Sequence, residues 1–304
     1  VSDLAQITKK LSEVSGTELV AAGPIAREIA FLSVKDRPVR EVMDRLAQAV
    51  VGRWEQSGIG YRLVYDEAKL LQLEKAKQAK LAEQFRKEIE KYTKGQNLSE
   101  SFGAAEADKL IRDMQDVQAA MNKTQNGQGL GDSESYTAYE KSDQLMNREP
   151  SSRALGKLLL CLDPAVLAAQ PDEHRYVFST YPTRKQLPFS KNAGPALQAF
   201  VNEYQAWSSA IARLPKPQGD DGDDPTAIYA HAPPLQAPVG KAILVSHKMS
   251  DSCSFELSIF DINGGLIASA ATWLSDSGDL VDKDLWSPDA GSGRRIELTP
   301  LSKE

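Results

Sequence analysis

Whatever chemistry this chain performs would have to be built from three histidines, two cysteines and a scatter of carboxylates. His174, His231 and His247 fall on a loop, a linker and a strand, with no two at metal-ligand spacing, and are expected to be surface or satisfied core residues. Cys161 lies in an apolar helical run and Cys253 at the head of a strand, places where a free thiol is commonly buried as a small hydrophobe; whether the two pair is left open. Asp220, Asp221, Asp223 and Asp224 form the candidate metal group, since hard oxygen ligands on a loop are what calcium uses. Their spacing does not match an EF-hand loop, so a solvated acidic linker is the preferred reading. Gly127, Gly129 and Gly131 follow no strand and lead into no Lys-Ser/Thr pair, which reads as plain loop and not as a phosphate cradle. A carboxylate pair can be assembled from many aspartates and glutamates, but the sequence does not set two of them across a cleft. No G-x-S-x-G, H-E-x-x-H, Walker or C-x-x-C pattern occurs, and no cofactor is expected.

The elements that must position any site divide the 304 residues into several parts, and the fold class expected is α+β. Leu4, Ile7, Leu11 and Val14 predict a first helix, stopped by Gly16. Thr17 to Ala21 and Glu28 to Lys35 read as strands separated by Gly23-Pro24. Asp36-Arg37-Pro38 reads as the start of a second helix, with Asp36 as its cap, apolar face Val39, Val42, Met43, Leu46 and Val50, and stop at Gly52. Arg53 to Tyr65 then predicts a hairpin turning at Ser57-Gly58-Ile59-Gly60. Residues 1–66 are thus expected to form two helices on one face of a small sheet.

Residues 67–125 read as a helical hairpin, with helices from Glu67 to about Tyr92 and from about Ala104 to Thr124. Asn126 to Ser135 reads as a loop. The mainly helical segment 126–214 carries helices at Ser152 to Leu162, Pro164 to Ala169 and Pro195 to Leu214, with one strand at Arg175 to Thr180. A lone strand does not close a core, so this segment is expected to pack on the hairpin. Residues 215–227 are the acidic linker, and 228–304 an antiparallel β meander of Lys241 to Lys248, Cys253 to Asp261 and Leu266 to Trp273. Asn263-Gly264-Gly265 joins the last two, and Arg294 to Leu301 is expected to add a strand to them. The start on Val1 and the strand-like run up to the C-terminus read as a processed or trimmed piece of something longer.

A net charge of -6 and a pI near 5.3 argue against broad nucleic-acid binding, which needs a basic face to displace counterions from phosphates. The longest apolar stretch, Leu158 to Leu162, is far short of the ~18 residues of a membrane span, so none is expected.

The element order of residues 4–65, with Phe31-Leu32-Ser33-Val34-Lys35-Asp36-Arg37-Pro38-Val39-Arg40-Glu41-Val42-Met43-Asp44-Arg45-Leu46 followed by Gly60-Tyr61-Arg62-Leu63, resembles the short N-terminal domain of secretins and TonB-dependent transducers. The resemblance covers about a fifth of the chain and carries no catalytic or ligand residues; the arm holding Trp54 is an addition, and no pore or barrel follows. It implies an exported, periplasmic or cell-envelope module in a bacterium that docks a protein partner. Docking residues on this reading are Phe31, Leu32, Val34, Trp54 and Tyr61, by strand addition if the strand holding Leu32 is an edge. The proline-restricted loop from Tyr181 to Pro188 adds Tyr181 and Arg184 as contact residues. The expectation is a noncatalytic binding or assembly module, with homo-oligomerisation open. Two alternatives stand beside it: a hydrolase with a carboxylate or metal site between the middle helices and the meander, and a structural oligomer built on the 67–124 helices.

Overall fold

The computed structural model describes residues 2–125, 132–214, 233–249, 252–275 and 294–297. The protein is α+β, and its contacts gather into two compact units. One comprises Val1–Gln78 with the strand at 294–297; the other is Ala79–Leu280, so the division falls inside a helix.

The N-terminal unit begins with β1 (Ser2–Asp3) and α1 (Leu4–Ser15). Asp3 caps the helix by accepting from the Gln6 amide at 2.8 Å, and Gly16 ends it with φ 67°, a left-handed conformation open to glycine at little cost. Leu4 and Ile7 are buried as expected, whereas Val14 stands in solvent because the last turn projects beyond the core. Thr8 is buried beside Leu4 and Ile7, its hydroxyl donating to Leu4 O at 2.8 Å and accepting from the Ala21 amide at 3.2 Å. A 3-10 turn, Gly23–Arg27, separates β2 (Leu19–Ala21) from β3 (Ile29–Ser33). It takes the chain out of register with β2, so the single sheet expected here becomes two.

In the first, β2 runs parallel to β5 (Gly60–Tyr65), which pairs antiparallel with β4 (Gly52–Ser57). In the second, β3 lies between β1 and β11 (Arg294–Glu297). The terminal strand therefore joins the N-terminal unit, parallel to β3, and not the meander. The helix α2 (Val39–Ala49) starts at Pro38 without a side-chain cap, since Asp36 itself takes φ 54°. Nor does Gly52 stop it: Val51 supplies the left-handed residue (φ 50°). Gly52 is needed in β4 instead, where a Cβ would lie 2.9 Å from both Val64 O and the Leu63 side chain. Leu4, Ile7, Ile25, Leu46, Val50 and Leu63 fill the core between these elements.

The second unit is organised on a five-stranded sheet in the order β10-β9-β8-β6-β7. Its strands are β6 (Arg175–Ser179), β7 (Leu187–Pro188), β8 (Val239–Lys248), β9 (Ser252–Asp261) and β10 (Leu266–Ser275). The meander is as expected, turning at Asn263-Gly264-Gly265 with Gly264 at φ 87° and Phe255, Leu257 and Ile259 buried on one face. The strand that looked alone, β6, pairs antiparallel with β8, so the middle segment and the meander share one core. Against the sheet lie α6 (Pro150–Leu159), α7 (Pro164–Ala168), the second half of α3 (Glu67–Gly95) and one face of α8 (Gly194–Ile211). Leu155, Leu158, Phe85, Ile89 and Phe200 pack there on Phe178, Leu244 and Phe255.

The helical hairpin expected from residues 67–125 is not the packing seen. Instead α4 (Ala104–Gln125) lies along α8 and along α5 (Asp132–Met146), a helix beginning where a loop was expected. Leu110 and Met114 of α4 meet Trp207 and Ala210 on the other side of α8. The broad apolar face of α8 thus serves two clusters, and the residues that would have carried an oligomer of the 67–124 helices are spent inside the unit.

Candidate binding surfaces

On β3 the alternation of a strand divides the side chains by face. Ala30 is buried, while Ile29 and Phe31 are 47% and 40% exposed on the other side, and Val34 just beyond the strand is 37% exposed. Val20 of β2 and Tyr61 of β5 are likewise exposed. Leu32 and Trp54 are half-buried against the core, and the Trp54 indole donates to Met43 O at 2.8 Å. Of the five candidates in this unit, then, Phe31, Val34 and Tyr61 are presented outward and two are structural. Strand addition at β3 is restricted, because β11 pairs with residues 30–33 along one edge and β1 with Ile29 and Ala30 on the other, which leaves only residues 31–33 open on that side among the described residues. The larger surface on offer is the outward apolar face.

In the second unit Tyr181 stands exposed over an open cleft of about 590 Å³ between α8 and the chain entering β8. Leu197, Gln198, Gln205, Leu235 and Gln236 line it with Tyr181. Three amides, a phenol and aliphatic side chains suit a neutral ligand with polar groups; they supply neither a nucleophile nor a metal set. Arg184 is exposed and does not line the cleft.

The charged groups between the middle helices and the sheet are arranged for structure. Arg153 and Glu203 are buried together, Nε to Oε2 at 3.1 Å and Nη2 to Oε1 at 3.2 Å, and Lys157 Nζ reaches the same carboxylate at 2.5 Å. The guanidinium also donates to Gln96 O (2.8 Å), Asn97 O (3.2 Å) and Glu100 O (2.9 Å) and lies over the Phe102 ring at 5.5 Å. All three carbonyls come from the turn after α3, so this one side chain fastens that turn to α6 and α8. A lone carboxylate already satisfied by two cations is not a hydrolytic pair. Nearby, Glu149 precedes α6 without a side-chain capping bond, and burial pushes its carboxyl up to about 7.

Sequence reasoning missed this cluster because its members lie 46 and 50 residues apart. The available signal was Arg153 and Lys157, one turn apart in a helical stretch, 153–159, that is otherwise apolar.

Both cysteines are free thiols. Burial pushes Cys253 up to about 12 and Cys161 upward as well, which disfavours the reactive thiolate. His247 lies 3.8 Å from Glu173, and His174 Nδ1 is 3.0 Å from Asp172 O. Among the described residues no three metal-ligating side chains converge, and no helix is long and apolar enough to cross a membrane. His231, Asp220, Asp221, Asp223 and Asp224 lie outside the described residues, as do Gly127, Gly129 and Gly131. Comparison with protein families, curated proteins and solved structures finds no match to this chain.

Proposed function

We propose that this chain is a noncatalytic binding module of the bacterial cell envelope whose N-terminal unit docks a protein partner. The observation that carries the reading is the run Ile29, Phe31 and Val34, three large apolar side chains held outward within six residues on and just beyond β3. Burying such side chains against a partner contributes roughly 1.5–3 kcal/mol each when complete, enough for a few of them to dominate an interface. Because β11 takes one edge of the strand and β1 part of the other, the partner is gripped chiefly by side chains. The envelope location follows from the resemblance of residues 4–65 to the short domain of secretins and transducers.

The test is a photo-crosslinking residue at position 31, with one at the exposed Lys10 of α1 as control, in the cells that make the protein. A discrete adduct from position 31, recovered in the envelope fraction and lost with Ile29→Asp, is the expected result. Equal labelling from both positions, or none from position 31, overturns it.

A further inference from the structure

Every edge strand in the described residues is blunted except one. β1 and β7 are two residues long, and β7 contains Pro188. β2 has three residues, and its Leu19 and Ala21 amides are taken by the Ser12 and Thr8 hydroxyls of α1 at 2.7 and 3.2 Å. β4 carries the Arg53–Glu55 ion pair, and the sequence of β11 holds Arg294, Arg295 and Glu297. These are the ordinary devices that keep sheet edges from pairing with other chains.

β10 lacks these over residues 268–275; its one irregularity is the register shift at Ile267, near its start. It is ten residues long, Leu-Ile-Ala-Ser-Ala-Ala-Thr-Trp-Leu-Ser, without a charge or a proline, and among the described residues it is paired on one side only, to β9. Its inner face, Ala268, Ala270 and Leu274, belongs to the core. Its outer face shows Ser269, Ala271 and Trp273, the indole 65% exposed.

We propose that β10 pairs antiparallel with β10 of a second copy of this chain, about a two-fold axis through Ala271. Two features select a second copy over a foreign strand. An uncharged edge meets no like-charge repulsion from itself. The sequence is also self-complementary in size about that residue. Directly opposed residues in antiparallel strands share a face, so the outer face sets Ala271 against Ala271 and each Trp273 against Ser269 of the other copy. The inner face sets Leu274 against Ala268 and Thr272 against Ala270. Each large side chain meets a small one, the core faces of both copies fall on the same side, and the two five-stranded sheets become one of ten. The contact is isologous and closes at two copies.

Sedimentation of the chain across a concentration series tests this, alongside Ala271→Lys and, in a Cys161→Ser background, Ala271→Cys. Position 271 is exposed on the outer face, so both substitutions leave the fold's circular dichroism unchanged. The parent is expected to reach twice the chain mass. Ala271→Lys sediments as a single chain at every concentration, because two ammonium groups meet on the axis. Ala271→Cys gives a reducible cross-linked dimer, since Cα atoms of opposed residues lie about 4.5–5.5 Å apart, within disulfide reach. A monomeric parent overturns the proposal, including one that takes up a foreign extended peptide. So does a dimer that persists in Ala271→Lys, or the absence of the Ala271→Cys cross-link.

Discussion

Two regions of this molecule use the same pairing of cations with carboxylates to opposite effect. On the exposed side of α3, Arg86 binds Glu83 with two nitrogens, at 2.8 and 2.5 Å, and Glu90 at 2.8 Å, the carboxylates standing about one turn to either side of it. The Arg86 hydrogen bond is the main cause holding the Glu83 carboxyl below its ordinary value. Between α6 and α8, Arg153 and Lys157 hold Glu203 out of water, with the rest of the guanidinium spent on backbone carbonyls. Geometry is equally good in both. The exposed set gives up hydration it can readily recover, whereas loss of Glu203 from the buried set leaves two cations without their counter-ion in a site withdrawn from water. The consequence of an ion pair is set by what surrounds it.

The comparison is broken most severely at Glu203. Glu203→Ala should cost about 3–5 kcal/mol in a urea titration, because two cations are stranded. A loss below about 1 kcal/mol would mean that water reaches the site and that the two regions do not differ. Replacing the whole set by Glu203→Leu, Arg153→Met and Lys157→Met should recover most of that loss while freeing the turn after α3, read as faster amide exchange at residues 96–100.

Gly156→Ala probes the same neighbourhood through packing. A Cβ there would stand 1.9 Å from the Gln96 side-chain oxygen, and Gln96 is buried and pinned by its donation to Ser152 O at 2.9 Å. The expected loss is about 1–3 kcal/mol.

Glu149 sharpens the comparison by pH. Its folded carboxyl titrates at about 7, above the unfolded value near 4.3, so the unfolded chain releases this proton first. Below the unfolded value both states are protonated and nothing is lost. As pH rises from there through 7, stability falls, and above 7 the full penalty applies. Glu149→Gln should therefore raise the urea midpoint at pH 8, leave it nearly unchanged at pH 4 and flatten the slope between. A parallel shift at both pH values would show that burial of the carboxylate is not the cause.

The smallest effect belongs to Arg86→Ala, which should leave the urea midpoint within error at ordinary salt. A clear loss there would erase the distinction between the regions.

These regions also divide what the sequence discloses. The Arg86 set is written three and four residues apart and can be read by counting. So can α1 from Leu4 and Ile7, the stop at Gly16, the β9–β10 turn at Gly264 and the buried row Phe255, Leu257 and Ile259. Periodicity failed where a polar residue is buried and an apolar one exposed, as Thr8 and Val14 are, and where α5 packs on α4 without an apolar stripe of its own.

By itself the sequence determined the α+β class, most helices and strands and most of the turns between them. These depend on propensity, side-chain period and φ preference, which act over a few residues. Only the tertiary structure decided that β6 completes the meander's sheet, that β11 pairs with β3, that α4 leaves α3 for α8, and that Arg153 meets Glu203. Every strand offers the same backbone donors and acceptors, and every apolar face accepts any other of suitable shape. Which distant segments meet is set by the free energy of the whole core, and no local pattern carries it.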